Sequence, residues 1–410
     1  MSNPPVPVAE VAMPRLPGIG AQLDRTASAA AHREAASSSW IARGEIGYSI
    51  LRYDDVVAVL RDKRWHSAVP LVIEMSAEAT PELKARRRES ILSAEGDTHV
   101  RLRRLVAPAF SPRRADALRP FMANVVNELI DAVVDRGSCD IAVDICEPYP
   151  IPIICELLGA PKGDWELFSR WATDILRVFD NNFREDAPLI MAAQDELDLY
   201  VRVLIAERRT RPHDDLLTDL IAAEEAGDRL TTEELVMMVE AVIIGGTDTT
   251  RNQLGLAVDL LIEHPDEWAM LATHPELAAK YVEETMRVNG AVRGTGRVAS
   301  CDIEYKGVLF PAGTIVFPSL ATANHDGSVF SDPDRYDPSG RESSQPQLTF
   351  GSGIHYCLGA ALARAELQEA LPILAKRMPN IARAGEPRYK IATAGIFGPT
   401  SLPVSFGTRP

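Results

Sequence analysis

Two short stretches of this 410-residue chain hold residue types suited to chemistry. Near the C-terminal end, FGSGIHYCLGAALARAE (350–366) sets one cysteine, Cys357, after Gly351 and Gly353 and before a run with helical periodicity. Glycine reaches backbone angles closed to other residues, so a tight bulge is expected before the cysteine. Leu358, Leu362, Leu367, Leu371 and Leu374 mark apolar positions of the helix that follows. Cys357 would then stand at a helix N-terminus, where free N–H groups and the positive dipole end favour thiolate over thiol. Such a sulfur is a structural orphan, a nucleophile or a metal ligand. A Cys–His protease needs a histidine oriented by a third group, which the adjacent HYC does not easily supply. Zinc needs further Cys or His ligands, and none fits nearby. One thiolate does suffice as the sole protein ligand of a heme iron.

The second stretch is GGTDTT (245–250), inside TTEELVMMVEAVIIGGTDTTRNQLGLAVDLLIEH (231–264). Thr231 and Glu234 have capping-box spacing, and apolar residues on most faces predict a helix through the core. Each central glycine costs about 1 kcal/mol against alanine, and β-branched threonines are also weak helix formers. A kink or close helix packing is one explanation. The other is that a flat ligand approaches the backbone, with Asp248 and Thr249 bringing an acid and a hydroxyl suited to proton delivery.

The elements that position these groups are mostly helical. IGYSILRYDDVVAVLRD (46–62) reads as a short strand leading into a helix. From there to about residue 290 helical periodicity dominates, as in RPFMANVVNELIDAVVDR and ELDLYVRVLIAERR. SCDIEYKGVLFPAGTIVFPSL alternates around KG and AG turn signals and predicts short paired strands, and the tail YKIATAGIFGPTSLPVSFG is again strand and turn. Residues 1–20 are Pro-rich and expected to be irregular, with 21–410 forming one unit. The expected class is mainly α with small β-sheet regions.

Composition narrows the role. A formal net charge of −15 argues against a binder of nucleic acid held by phosphate contacts. Hydrophobic residues make up 46% and charged residues 25%, as in ordinary globular proteins. No apolar run approaches the roughly 20 residues needed to span a bilayer, so no membrane anchor is expected. Five cysteines without CxxC spacing suit a reducing compartment, and the expected location is cytoplasmic.

FGSGIHYCLG resembles the heme-binding signature of the cytochrome P450 family, Phe-x-x-Gly-x-(His or Arg)-x-Cys-x-Gly, and GGTDTT resembles that family's oxygen-activating helix motif. EETMR contains Glu284 and Arg287, similar to the family's Glu-x-x-Arg pair, and DPDRY supplies Arg335, similar to the arginine that closes that triad. GDTHVRLRRLVAPAF carries His99 and Arg103 at the family's His-x-x-x-Arg spacing. The resemblance runs from about 46 to 406 and implies a single-domain cytochrome P450 fold.

It further implies heme b (iron protoporphyrin IX) with Cys357 as axial ligand, Gly359 letting the helix start lie close to the porphyrin, and Phe350 shielding the sulfur side. His99, Arg103, Arg297 and His355 match the positions that hold the propionates, which as buried carboxylates need cationic or donor partners. Glu284, Arg287 and Arg335 are implied to be a structural charge network. Asp248 and Thr249 match the family's acid–alcohol pair. The implied activity is insertion of one oxygen atom of O2 into a hydrophobic organic substrate, by hydroxylation, epoxidation or dealkylation. Electrons would come from a ferredoxin fed by an NAD(P)H-dependent reductase. Arg101, Arg104, Arg113 and Arg114 form a basic patch suited to docking it. Diverted chemistry (C–C coupling, desaturation, peroxygenation) and, from another class, a heme-thiolate sensor without turnover or a merely buried thiol are the rival readings. A monomer is expected.

Substrate contacts are expected from VPLVIEM (69–75), WATDILRVFDNNF (171–183), the helix face around Ala241 and Gly245, VNGAVRG (288–294) and AGIFG (394–398). Val72, Ala241, Gly245, Val292, Ile396 and Phe397 are the candidate lining, with Arg293 and Asn289 as candidate anchors for a polar end. Three positions depart from the family's usual pattern. No proline follows the Glu-x-x-Arg helix, His325 stands where arginine is frequent, and no proline precedes His99.

Overall fold

The computed structural model describes residues 4–17, 25–74, 81, 84, 90–177, 183–225, 230–340, 345–390 and 396–407. Helices dominate. In chain order they are α1 (Arg25–Ser38), α2 (Tyr53–Arg61), α3 (Val69–Glu74), α4 (Gly96–Val106) and α5 (Pro112–Asp131). Then come α6 (Pro150–Leu158), α7 (Trp165–Leu176), α8 (Phe183–Thr210), α9 (Leu216–Glu225) and α10 (Thr232–Ile262). The last are α11 (Pro265–Thr273), α12 (Ala278–Val288), α13 (Leu320–Ala323) and α14 (Ala360–Arg377).

The central helix α10 starts where its sequence directs. Thr231 Oγ1 accepts from the Glu234 N–H (3.1 Å), and the Glu234 carboxylate accepts from the Thr231 N–H (2.9 Å). Apolar residues around most of its circumference are buried against α6, α7, α8 and α14. The helix is not interrupted at 245–250. Thr247 and Thr249 donate their hydroxyls to the carbonyls of Ile243 (2.6 Å) and Gly245 (2.7 Å), so weak helix formers are absorbed by back-bonding within the turn. Helix α14 packs on α5, α11 and α12 and so carries the cysteine loop on a firm base.

Strands β1 (Val6–Pro7), β2 (Ile41–Arg43), β3 (Tyr48–Ile50), β4 (Trp65–Ser67) and β5 (Ser138–Asp140) are short. So are β6 (Arg297–Ala299), β7 (Ile303–Tyr305), β8 (Val308–Phe310), β9 (Ile315–Pro318), β10 (Ala382–Arg383), β11 (Arg388–Tyr389), β12 (Pro399–Ser401) and β13 (Pro403–Ser405). The largest sheet has the order β2-β3-β9-β6-β4. The KG signal makes the β7–β8 hairpin turn, with Lys306 (φ 51°) and Gly307 (φ 73°) both left-handed, as a type I′ turn requires.

The proline-rich start departs from the irregular stretch expected over 1–20. Val6 and Pro7 pair in parallel with Val308 and Leu309, and Arg15 bridges to Arg43. Proline cannot donate, but at a sheet edge the missing donor leaves no neighbour unsatisfied.

Candidate active site

The cysteine loop runs from the end of the chain segment before α14. Gly351 (φ 71°) and Gly353 (φ 74°) take left-handed conformations, as the bulge demands. A Cβ on Gly353 would lie 2.1 Å from the Leu60 carbonyl oxygen, so that glycine also lets the loop lie on the end of α2. The Cys357 N–H donates to the Phe350 carbonyl (2.9 Å), closing the loop beneath the sulfur. Phe350 packs under the Arg364 guanidinium, 4.4 Å from ring centroid to carbon.

Cys357 lies three residues ahead of Ala360, where α14 begins. The expectation that the helix end alone would favour thiolate is corrected by burial, which pushes the thiol up. A bond from the Gly359 backbone and the Arg103 and Arg364 guanidiniums pull the other way without prevailing. Sulfur so placed ionises when a cation binds it.

Four basic side chains gather beside the loop. His355 Nε2 lies 3.1 Å from Glu95 Oε1, and the His99 and His355 rings are 4.4 Å apart. Burial, then the charges of His355 and Arg103, pushes His99 down to about 4. Arg103 donates to the Tyr356 carbonyl (2.6 Å). Arg297 is buried, donates to Thr295 Oγ1 (3.0 Å) and the Gly296 carbonyl (2.8 Å), and is pushed down to about 10 by burial. Glu95 is the carboxylate that acts on this group. Among the described residues, the guanidiniums of Arg103 and Arg297 face the one carboxylate of Glu95, and the two imidazoles add ring nitrogens, a set fitted to hold buried carboxylates.

The glycines test whether a flat group fits between the loop and α10. A Cβ on Gly245, Gly351 or Gly359 would meet nothing within 4 Å, whereas one on Gly246 would lie 2.4 Å from Ile154 Cδ1. The two adjacent helix glycines therefore serve different ends: Gly246 packs on α6, and Gly245 faces open space. Thr250 Oγ1 donates to Glu366 on α14 (3.3 Å), holding the middle of α10 to the helix that carries the cysteine. A lone sulfur, open glycines above and below and a cluster of bases together fit heme b.

The remaining predicted residues fall as follows. Asp248 is buried and carries an ion-pair network. Arg251 (Nε 2.8 Å), Lys390 (Nζ 2.6 Å) and Asn252 (Nδ2 2.9 Å) all donate to its Oδ1. Burial pushes this carboxyl up, but the charges and hydrogen bonds of Lys390 and Arg251 outweigh it and hold the group below the usual carboxylate range. Glu284 and Arg287 form the expected buried pair, with Nε to Oε2 and Nη2 to Oε1 both 2.8 Å. Arg335 takes part differently from expectation. Its main-chain carbonyl accepts from Arg287 Nη2 (3.0 Å), while its side chain is 68% exposed and lies 3.7 Å from Asp337. The carbonyls of Asn324 and Pro333 complete the Arg287 shell, and the Asp337 N–H donates to Glu284.

On the substrate side, Ala241 is buried, Gly245 is open, and Val292 bridges to Ile396. Phe397 is corrected from pocket wall to core. It is 2% exposed, clusters with Leu256 and Ala291, stacks on Tyr389 (5.5 Å, 13°) and lies under Arg293. Arg293 is thus committed to an aromatic face, and Asn289 is buried with its carbonyl accepting from Gln253. The side chain of Val72 and residues 178–182 and 394–395 lie outside the described residues. Of the basic patch, Arg101 pairs with Glu234, and Arg114 with Asp214 (2.6 Å) and Asp219 (3.1 Å), so these arginines are engaged within the chain.

Sequence reasoning missed Glu366, Glu95, Lys390 and Arg364. Glu366 left a signal: it shares a four-residue spacing with buried Leu362 and Ala370. Lys390 and Glu95 left none, because long-range pairing has no local pattern.

Comparison with known proteins places the chain among relatives of one family. The family model for cytochrome P450 matches residues 162–273 and 267–377. Nocardicin C N-oxygenase of Nocardia uniformis subsp. tsuyamanensis is 37% identical, covering 88% of this chain and 90% of its own. Luteothin monooxygenase of Streptomyces thioluteus is 35% identical over 91% and 92%. Among solved structures, the bacillaene polyketide synthase cytochrome P450 PksS of Bacillus subtilis 168 superposes with TM-score 0.83 at 31% identity, covering 93% and 97%. Chondromyces apiculatus CYP109Q5 gives 0.86 at 28% identity over 96% and 98%. With a sulfur set for iron, a cradle for the ring and bases for its carboxylates, this chain belongs to the cytochrome P450 family and is a monooxygenase that binds heme b.

Proposed function

We propose that this enzyme oxygenates a hydrophobic organic molecule of the natural-product kind, with electrons from an acidic ferredoxin and protons passed by Asp248 and Thr249. The observation that carries the reading is the loop cysteine just ahead of α14, the helix bonded through Glu366 to the middle of α10, where Gly245 faces open space and the acid–alcohol pair lies one turn on. The names of the nocardicin C and luteothin enzymes support the substrate class. When bound, heme supplies reductive activation of O2, so that two electrons and two protons place one oxygen atom in the substrate and the other in water.

The chain's own residues then have separate tasks. Cys357 holds the iron, and Phe350 and the loop amides screen the sulfur. His99, Arg103, Arg297 and His355 hold the propionates. Thr249, its hydroxyl on the Gly245 carbonyl, is placed to hand a proton into the open face. Asp248 is the acid that resupplies it.

For the electron donor, a cleft of about 560 Å³ includes Cys357 in its lining, together with Arg103, Asp116, Arg119, Leu358 and Arg364. Arg104 and Arg113 are exposed nearby on α4 and α5. Acidic residues on a small iron–sulfur protein would meet this face. Among the described residues no helix is long and apolar enough to cross a membrane. We assign the cytoplasm, consistent with five free cysteines. Diverted oxidation is the second reading.

The test is direct. Wild-type protein is expected to show the thiolate-type absorption of its reduced carbon monoxide complex, and Cys357→Ser to lose it. Retention of that band in the serine variant would overturn the assignment. Thr249→Ala is expected to divert reducing equivalents into hydrogen peroxide; unchanged coupling would remove threonine from the proton path.

A further inference from the structure

We infer that Lys390 is a positioning residue for proton delivery: it clamps one oxygen of Asp248 so that the other is left to pass the proton. The inference rests on the Asp248–Thr249 reading above.

Four donor contacts converge on a single atom. Arg251 Nε (2.8 Å) and Nη2 (2.7 Å), Lys390 Nζ (2.6 Å) and Asn252 Nδ2 (2.9 Å) all meet Oδ1. Among the described residues Oδ2 accepts no hydrogen bond from a side chain or main chain. A carboxylate whose two oxygens are treated so unequally has one anchored end and one free end. The free end is the one able to exchange a proton with water or a hydroxyl.

Arg251 and Asn252 belong to α10 itself and would hold the carboxylate on any path of the chain. Lys390 comes from elsewhere, directly after β11, and 142 residues separate it from Asp248. Its element is built onto α10 at several points. The Lys390 N–H donates to the Gly398 carbonyl (3.0 Å). Gly398 has no room for a side chain, since a Cβ would lie 2.2 Å from Asn252 Oδ1, and Gly255 meets Pro399 in the same way at 2.6 Å. The Tyr389 hydroxyl donates to Asp259 (2.6 Å) one helical stretch further on. The same β11–β12 pair carries Ile396, which bridges to Val292 on the substrate side. The wall that meets substrate and the cation that aims the acid therefore share one frame, and proton supply is tied to the placement of that wall.

The test uses the heme-loaded enzyme reduced by NADPH through spinach ferredoxin and its reductase, without added substrate. O2 then takes two electrons and two protons to give H2O2, or four of each to give two H2O, and the peroxide formed per NADPH measures the split between the two-proton and the four-proton outcome. Lys390→Met is expected to raise that ratio severalfold, as is expected of Thr249→Ala, with the carbon monoxide band retained. Lys390→Arg is expected to restore the wild-type ratio, since it keeps the charge. Lys390→Gln serves if the methionine variant does not fold, and its expected ratio is likewise raised. A wild-type ratio in the uncharged variant beside a raised ratio in Thr249→Ala overturns the role of Lys390 alone. A wild-type ratio in Thr249→Ala overturns the proton-pair reading beneath it.

Discussion

Glu366 sits where α14 ought to be apolar. It is 1% exposed, one of its oxygens has no partner among the described residues, and Thr250 supplies the other with a 3.3 Å hydroxyl. Burial pushes this carboxyl up to about 8, the Thr250 bond offsetting only part of that. An acid with a raised folded-state value binds its proton more tightly when folded. Below about 4.5 both states are protonated; between there and about 8 the unfolded chain releases a proton that the folded chain keeps. Stability therefore falls with rising pH across that window, by at most about 1.4 kcal/mol per pH unit, and levels off above it. Glu366→Gln keeps the shape and the acceptor while removing the titration. It is expected to be more stable than wild type at pH 8 and nearly equal at pH 5, read from denaturant midpoints of the holoprotein. Equal slopes against pH in the two proteins would show that Glu366 is not buried as a neutral acid. Single residues of this kind were partly legible. Cys357 and the Asp248–Thr249 pair stand out by type and spacing and the bases by the family resemblance, whereas the state of Glu366 depends on what covers it, which sequence does not carry.

At the scale of elements, α10 shows the same divide. Its capping box and all-round apolar pattern could be read directly, but Gly245 and Gly246 look alike in sequence and do opposite things. Gly246→Ala would drive its Cβ into Ile154 Cδ1, at 2.4 Å before any adjustment, an overpacking expected to destabilise by about 1–3 kcal/mol. Ile154→Val removes that carbon and by itself should cost about 1 kcal/mol. The double variant is expected to fall short of the sum by about 1 kcal/mol or more, because the smaller residue relieves the clash; strict additivity in denaturant midpoints would argue against the contact. Gly245→Ala has open space before it, so its stability is expected to match or exceed wild type, alanine being the better helix former. Its effect should appear instead in the visible spectrum, where a methyl group meets the bound heme. Arg335 and the N-terminal strand were misread for a related reason. The first contributes a main-chain carbonyl and the second an edge pairing, and backbone roles leave little trace in side-chain pattern.

For the molecule as a whole, the proposal of an acidic ferredoxin as electron donor makes charge act at two ranges. The chain carries −15, so an acidic ferredoxin approaching from afar is repelled. Near Cys357 the charges are mixed: Arg103 lines the cleft, Arg119 and Arg364 line it while paired with Asp116, Glu369 and Glu283, and Arg104 and Arg113 are exposed beside it. Salt screens these ranges unequally. The Debye length falls from about 30 Å at 0.01 M to about 10 Å at 0.1 M, which removes the repulsion of distant charges before it weakens pairs in contact. Electron transfer from a ferredoxin is therefore expected to speed up as salt rises from about 0.01 M, pass through a maximum near about 0.1 M, and then slow as the contact pairs are screened. Arg113→Glu, an exposed charge reversal away from the heme, should lower the maximum and raise the apparent KM for ferredoxin, with the carbon monoxide spectrum unchanged. The measurement is the first-order reduction rate by stopped flow across a salt series. A rate that rises with salt throughout would mean that the distant charge governs docking and the arginine face does not, and a flat profile would mean that the donor meets an uncharged surface.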